Sequence, residues 1–160
     1  METKNEHKII SSAVGALVLV ADGQCLRAVL WHRDYLSFPI GSENVTHPIL
    51  EKTETQLREY FSGKRSEFDL PITFSGTTFQ NKVWRALLTI PYGRTESYEG
   101  LARQIGSPKA CRAVGAANGK NPLSIVVPCH RVIGKNGKLV GFGGGMGAKS
   151  TLIEIERLAI

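Results

Sequence analysis

A cysteine stands directly beside a histidine at Cys129-His130, inside the apolar run Ile125-Val126-Val127-Pro128-Cys129-His130-Arg131-Val132-Ile133. Val126, Val127, Val132 and Ile133 mark a short buried segment. Burial alone raises a thiol's pKa and makes it inert, so a reactive Cys129 needs a base and, from elsewhere in the fold, a carboxylate to orient that base. The plain alternative is a cysteine serving as a small hydrophobe in a core. Pro128 gives no backbone donor and restrains Val127 to an extended shape, so the turn presents both side chains at fixed angles. Neighbours in an extended stretch point to opposite sides. A proton would therefore pass from Cys129 to His130 through a bridging water rather than by direct contact.

The carboxylate comes from the last helix, expected over residues 148–158. Leu152, Ile153 and Ile155 form its apolar arc, Glu156 falls inside that arc and Glu154 lies opposite. An ionised carboxylate on a buried face needs a partner. His130 is the natural one; a structural pair with an arginine is the alternative.

Upstream, Thr77-Thr78-Phe79-Gln80 fits a capping box, and Phe79, Val83, Trp84, Leu87 and Leu88 make the apolar face of a helix that Pro91 and Gly93 stop. A short helix follows over residues 97–105 and Gly106 closes it. Ser107-Pro108 then reads as the start of a second helix running to about Asn118. Two short helices joined by a glycine turn suggest a helix-turn-helix, although an ordinary helical hairpin has the same pattern. On the second helix Ala110, Ala113, Val114 and Ala117 share one side, and Arg112, Gly115, Ala116 and Gly119 the other. One long cation on a nearly bare surface suits close approach to a minor groove better than base reading in the major groove.

The run Asn121-Pro122-Leu123-Ser124-Ile125-Val126-Val127-Pro128-Cys129-His130-Arg131-Val132 resembles the active-site signature of the methylated-DNA–protein-cysteine methyltransferases, the alkylguanine-DNA alkyltransferases, in their compact bacterial form. The resemblance is carried by specific motifs over about residues 74–158, and over residues 1–73 only by size and strand–helix order. It implies that Cys129 is the alkyl acceptor, with His130 and Glu156 as its base and orienting carboxylate. Asn121 matches a hinge asparagine that positions the cysteine segment. Tyr98 matches a tyrosine that crowds the phosphate and contacts the flipped guanine, and Arg112 an arginine that fills the space of the everted base. Ser97, Lys109, Gly115, Ala116, Gly119 and Arg131 are the further DNA-contacting candidates. Val132, Phe142, Gly143, Gly144 and Asn118 would line the guanine pocket. Asn118 stands where some relatives carry methionine. Phe142-Gly143 replaces the Tyr-Ala or Tyr-Ser of many relatives, and the missing hydroxyl and Cβ could widen the pocket. Gly143 to Ser150 is no phosphate-binding loop, because Ala148 stands where the motif requires glycine before Lys149.

The implied fold is α+β: a small N-terminal ribonuclease-H-like α/β support domain over 1–74, then a mostly helical C-terminal domain over 75–160 with a winged-helix-like helix-turn-helix. In the first domain a strand is expected over 14–20, a hairpin turn at Asp22-Gly23, a return strand over 26–31, a helix over 48–61 and an edge strand over 68–74. His32 and His47 read as surface or turn residues rather than ligands. Charge divides with the domains. Residues 1–74 hold 8 Lys+Arg against 10 Asp+Glu, and residues 75–160 hold 12 against 4, which fits a polyanion partner for the second half. The cysteines, Cys25, Cys111 and Cys129, are odd in number and far apart, so neither a disulfide framework nor a zinc site is expected. No cofactor, metal or membrane partner is expected, and the reading is a cytoplasmic, nucleoid-associated monomer that binds double-stranded DNA through its minor groove. The implied activity is single-turnover transfer of an alkyl group from the 6-oxygen of guanine to Cys129, with the 4-oxygen of alkylated thymine as a second candidate substrate. The runner-up is a non-catalytic alkyltransferase-like damage-recognition protein, which lacks the cysteine. A helix-turn-helix regulator and a cysteine hydrolase are weaker alternatives, since the second helix is bare and adjacent Cys and His suit no ordinary dyad.

Overall fold

The computed structural model describes residues 4–134 and 144–159, so the positions of Phe142 and Gly143 in the expected pocket lie outside it. The chain divides into two compact units, Met1–Thr73 and Phe74–Ile160.

The first unit is a four-stranded sheet in the order β3-β2-β1-β4 with one helix. Strands β1 (Glu6–Ile10), β2 (Leu17–Ala21) and β3 (Leu26–Trp31) run antiparallel to their neighbours, and β4 (Ser42–Glu43) pairs parallel with β1. All five residues of Leu-Val-Leu-Val-Ala in β2 are buried, as a strand covered on both faces requires. Helix α1 (Pro48–Phe61) packs against β1, β2 and β3 through Leu50, Leu57 and Tyr60. The other side closes as a cluster of Val18, Val20 and Ala28 with Leu30, Phe38 and Ile40. His47 is not at the surface. It is buried, it caps α1 by accepting from the Ile49 N–H at 3.1 Å, and its Nε2 bonds the Asp22 carbonyl at 3.0 Å.

Two expectations for this unit need correction, and one strand had no counterpart among them. Strand β2 begins at Leu17 rather than Val14, because Gly15 takes φ +101° in a turn closed by its N–H to Ser12 O. The edge strand expected over 68–74 reduces to one bridge between Leu26 and Ile72, with the Pro71 carbonyl accepting from Leu26 N–H at 2.6 Å. The polar-apolar stretch Glu6-His7-Lys8-Ile9-Ile10 was not read as a strand, yet it is the central partner of β2 and β4.

The second unit is a helical cluster with a two-stranded wing. Helix α2 (Thr78–Leu87) starts with both halves of the capping box, Thr77 Oγ1 accepting from Gln80 N–H and Gln80 Oε1 from Thr77 N–H. Trp84 of α2 donates its indole N–H to Ala117 O at 2.8 Å, tying α2 to the third helix of the group. Helices α3 (Tyr98–Gln104) and α4 (Cys111–Gly119) pack as the helix-turn-helix. Gly106 turns the chain between them at φ +79°. Ser107-Pro108 does not cap α4. Residues 107–110 form a turn closed by Ala110 N–H to Ser107 O, and the helix begins at Cys111 without a side-chain cap. The outward face of α4 is also wider than the spacing suggests: Ala113 is exposed, and Asn118 joins Val114 and Ala117 inside. Strands β5 (Glu96–Ser97) and β6 (Val132–Ile133) pair in parallel, and helix α5 (Met146–Leu158) packs on the turn between α4 and β6.

The capping box gives a direct stability test. Thr77→Ala should cost about 1 kcal/mol. In a Trp31→Phe background Trp84 is the remaining tryptophan, so a denaturant titration followed by its fluorescence should show an earlier midpoint with an unchanged slope.

Candidate active site

The cysteine segment is built from tight turns rather than from an extended strand. Ile125 has φ +73°, and Val126 N–H bonds Ser124 O at 2.8 Å across it, a γ-turn of the rare positive-φ type. For a β-branched residue that is a strained conformation. Pro128, at φ −80° and ψ 62°, centres a second γ-turn closed by Cys129 N–H to Val127 O at 2.8 Å. Cys129–Arg131 then make a single 3₁₀ turn. Asn121 locks the segment. Its Nδ2 donates to Val127 O at 2.9 Å and its Oδ1 accepts from Leu123 N–H at 2.9 Å. The extended geometry expected for Cys129 and His130 is therefore replaced by a helical one, because Pro128 ends the extended path one residue before the cysteine.

His130 is fully buried, and its Nε2 lies 2.6 Å from Oε2 of Glu156, itself 2% exposed. Glu156 has more partners than that. Its Oε1 accepts from Arg131 Nε at 2.8 Å and from Gly93 N–H at 3.2 Å, and its Oε2 accepts from Arg131 Nη2 at 3.2 Å. Arg131 is not the surface cation expected to touch DNA. It is 8% exposed, its Nη1 donates to Ile90 O at 2.7 Å, and its guanidinium lies 5.6 Å from the centre of the Tyr92 ring. A carboxylate this deep needs a full positive charge beside it, and Arg131 supplies it. The two readings of Glu156, partner of His130 or of an arginine, are both realised.

The electrostatics follow from burial. Burial raises the Glu156 carboxyl, but the His130 hydrogen bond and charge and the Arg131 guanidinium outweigh it and hold it at about 2. Burial pushes the His130 imidazole down; the bond to Glu156 opposes this, and Arg131 and Lys149 add to the lowering. A neutral His130 facing an ionised carboxylate carries its proton on Nε2, and the second ring nitrogen, Nδ1, is the basic one. Burial likewise pushes the Cys129 thiol up, against the pull of Asn121, Lys149 and Ser124. At rest the pair is thus a thiol and a neutral base.

The groups missed from the sequence are internal. Lys149 has no solvent exposure and donates from Nζ to Val132 O at 2.6 Å. Its spacing of seven from Glu156, with Leu152 between, places all three on one helix face and could have revealed it. Gly93, Ile90 and Tyr92 leave no such signal, since two of them act through backbone atoms.

The remaining candidates separate by exposure. Lys109, Arg112, Ala116 and Gly119 are exposed, and nothing lies within 4 Å of a Cβ built on Gly119. Gly115 is half-buried with the Tyr98 ring 3.8 Å from its Cβ position. Tyr98 opens α3; burial raises its hydroxyl, the Asn118 amide lowers it, and Cys129 contributes a further electrostatic push upward. Ser97 spends its hydroxyl on capping α3, accepting from Gly100 N–H at 2.9 Å. Val132 is buried in β6, Asn118 is buried in α4 with Nδ2 3.3 Å from Cys129 O, and Gly144 is half-buried. Among the described residues no group of three or more His, Cys, Asp or Glu is placed to hold a metal ion, and no helix is long and apolar enough to cross a membrane.

Comparison with known proteins divides the chain into the same two parts. Residues 78–158 match the 6-O-methylguanine DNA methyltransferase DNA binding domain, and residues 6–74 match the ribonuclease-like domain of the same protein. The chain belongs to this family. It is 42% identical over 160 residues to the constitutive methylated-DNA–protein-cysteine methyltransferase of Bacillus subtilis, covering 97% of each chain. It is 59% identical over 102 residues to the enzyme of that name from Mycobacterium tuberculosis, an alignment spanning 64% of this chain and 62% of the relative's length. The crystal structure of Mycobacterium tuberculosis OGT in complex with DNA superposes with a TM-score of 0.89 at 44% identity, over 96% of this chain and 94% of that one.

Two stability predictions follow from the buried cluster. Arg131→Ala strands Glu156 and should cost about 3–5 kcal/mol, the usual penalty for breaking a buried pair; a phosphate-contacting surface arginine would leave the melting temperature nearly unchanged. The second concerns pH. His130 and Glu156 both have lowered pKa values in the fold, so the unfolded chain binds their protons first and stability falls with acidity. Loss should begin as pH drops through the ordinary histidine value of 6.5, and deepen from the ordinary glutamate value of 4.5 towards about 2. Thermal melts across pH 7 to 4 should show the first limb in the unmodified protein and lose it in His130→Asn.

Proposed function

We propose that this protein repairs alkylated DNA by moving an alkyl group from the 6-oxygen of guanine onto Cys129. The observation that carries the reading is the buried thiol followed by an imidazole that Glu156 clamps through Nε2 at 2.6 Å. The carboxylate fixes the tautomer that leaves Nδ1 basic, and a water between Nδ1 and Sγ passes the thiol proton to His130. The thiolate attacks the alkyl carbon, a carbon–sulfur bond forms, the carbon–oxygen bond breaks, and the electron pair leaves on the guanine. Tyr98 donates a hydrogen bond towards the ring as that charge develops, the departing guanine takes up a proton from solvent, and His130 releases to solvent the one it took from the thiol, so that no net proton is gained or lost. Lys149 favours the thiolate electrostatically. The product is a thioether, which water does not hydrolyse, so each molecule acts once and needs no cofactor.

The DNA partner is double-stranded and is met through α4. Its exposed face carries Arg112 among Ala113, Ala116 and Gly119, a shape that enters a minor groove and offers little base readout. Arg112 fills the stack while the damaged base turns into the pocket. Lys109 and the backbone near Ser97 hold phosphates. Asn121 keeps the cysteine turn in register, and Val132, Gly144 and Asn118 border the base. The first unit acts as support. Cys129, His130 and Glu156 all come from one unit of one chain, which supports action as a monomer, and a DNA substrate implies that it works in the cytoplasm at the nucleoid. A non-catalytic damage-recognition role is disfavoured by Cys129 itself.

Intact-mass analysis after mixing with duplex DNA containing 6-O-methylguanine tests the reading. The expected result is one added methylene unit per protein, mapped to the Cys129 peptide and stopping at one equivalent. Methyl transfer to a Cys129→Ala protein would overturn it.

A further inference from the structure

The turn that follows α2 meets the buried cluster at three points. Ile90 O accepts from Arg131 Nη1 at 2.7 Å, the Arg131 guanidinium carbon sits over the Tyr92 ring at 5.6 Å from its centre, and Gly93 N–H donates to Glu156 Oε1 at 3.2 Å. The turn is stiff. Arg94 N–H closes it on Pro91 O at 3.0 Å, the ring of Pro91 fixes its own φ, and Gly93 takes φ +78°, which glycine adopts at little cost. Tyr92 is half-buried. Burial raises its hydroxyl, the Glu156 charge raises it further and Arg131 opposes both, so the ring lies within electrostatic reach of the two ions.

The chemistry asks more of this cluster than stability does. Glu156 has to keep Oε2 on His130 Nε2, because that bond selects the tautomer with a basic Nδ1. The carboxylate cannot turn while the Arg131 fork holds both of its oxygens, Nε on Oε1 and Nη2 on Oε2. The fork needs holding in its turn. Ile90 O ties its far nitrogen, and the Tyr92 ring lies under its face, inside the reach of about 6 Å at which a cation and a ring attract. Without the ring the guanidinium has room to slide, and its bonds to Glu156 can re-form with the carboxylate rotated away from His130.

We propose that Tyr92 is a positioning residue for the transfer: its ring backs the Arg131 fork, and the fork keeps Glu156 in the orientation that clamps His130. The inference rests on the alkyl-transfer reading above. Tyr92 acts through Arg131 and Glu156 and not on the DNA.

The test joins single-turnover methyl transfer to Cys129, from a 6-O-methylguanine duplex at saturating DNA, with duplex affinity and with NMR of the His130 ring nitrogens. The unmodified protein should show one His130 tautomer with a slowly exchanging Nε2–H. In Tyr92→Leu that proton should exchange rapidly, the tautomers should mix, and the saturated rate should fall about 10-fold, the scale of one shielded cation–π contact, with duplex affinity unchanged. Tyr92→Phe restores the ring and should recover both tautomer and rate. Tyr92→Met fills the space without an aromatic face and should match Tyr92→Leu, so it stands in if the leucine variant does not fold. A ring-less variant that melts earlier yet keeps the single tautomer and the rate would make Tyr92 a packing residue and overturn the inference. Failure of Tyr92→Phe to recover them would overturn it too. If neither ring-less variant folds, the unmodified protein decides: a held guanidinium gives separate Arg131 Nη proton signals, and one averaged signal would overturn the inference. No transfer by the unmodified protein would remove the alkyl-transfer reading, and the NMR comparison would then judge the hold of Tyr92 on His130 by itself.

Discussion

The site in the second unit is organised by one buried carboxylate. Glu156 reaches from α5 to the loop after α2 through Gly93 N–H, and to the turn after α4 through His130 and Arg131. It thereby joins three segments that are distant in sequence. The charge is tolerable there because each oxygen has donors and one donor is a full cation. An apolar residue at 156 could pack in the same place, and such replacements are often neutral or favourable to stability. What it could not do is orient an imidazole. The carboxylate is therefore better understood as a functional group around which the fold has been completed than as a stabilising contact.

The same burial that makes Glu156 demanding makes Cys129 unreactive by default. The thiol is raised by desolvation, and the groups opposing that are the Asn121 amide, the Lys149 ammonium, the backbone at Cys129 and the Ser124 hydroxyl. None of them is a base. On the proposed alkyl-transfer reading, reactivity comes from proton removal by His130, and so from the Glu156 clamp. Geometry has to come from the backbone, since the cysteine is delivered by two γ-turns, one of them strained at Ile125. Asn121 bonds both sides of that segment. A mobile turn would relax the positive φ at Ile125; a clamped one holds it, and the sulfur with it.

Much of this was legible in the residues, for reasons that differ by element. The hairpin and α1 were readable because Asp22-Gly23 and the Pro48 helix start are local signals. The capping box of α2 was readable because both of its bonds are made within four residues. The His130–Glu156 pair was readable because a carboxylate inside an apolar arc has to be answered. Arg131 misled for the complementary reason: a cation in a basic half reads as surface, and only the packing shows that it answers the same carboxylate. Strand β1 was hidden because its pairing to β2 and β4 is non-local and its residues are mixed in polarity. The 3₁₀ turn at Cys129 was hidden because Pro128 looks alike before a strand or a turn.

The position of the cations changes what the charge balance means. The second half carries 12 Lys+Arg against 4 Asp+Glu, but Arg131 and Lys149 are internal. They are committed to Glu156 and to the Val132 carbonyl and cannot release counterions from DNA. The charge open to a phosphate backbone near α4 is instead that of exposed groups such as Lys109, Arg112 and Lys120. Two kinds of positive charge thus occur in one unit, one holding a base and a thiol in a dry interior and one facing solvent. The dependence of DNA affinity on salt should follow the second kind alone, since its slope counts phosphates neutralised at the surface and is blind to charges that never meet water.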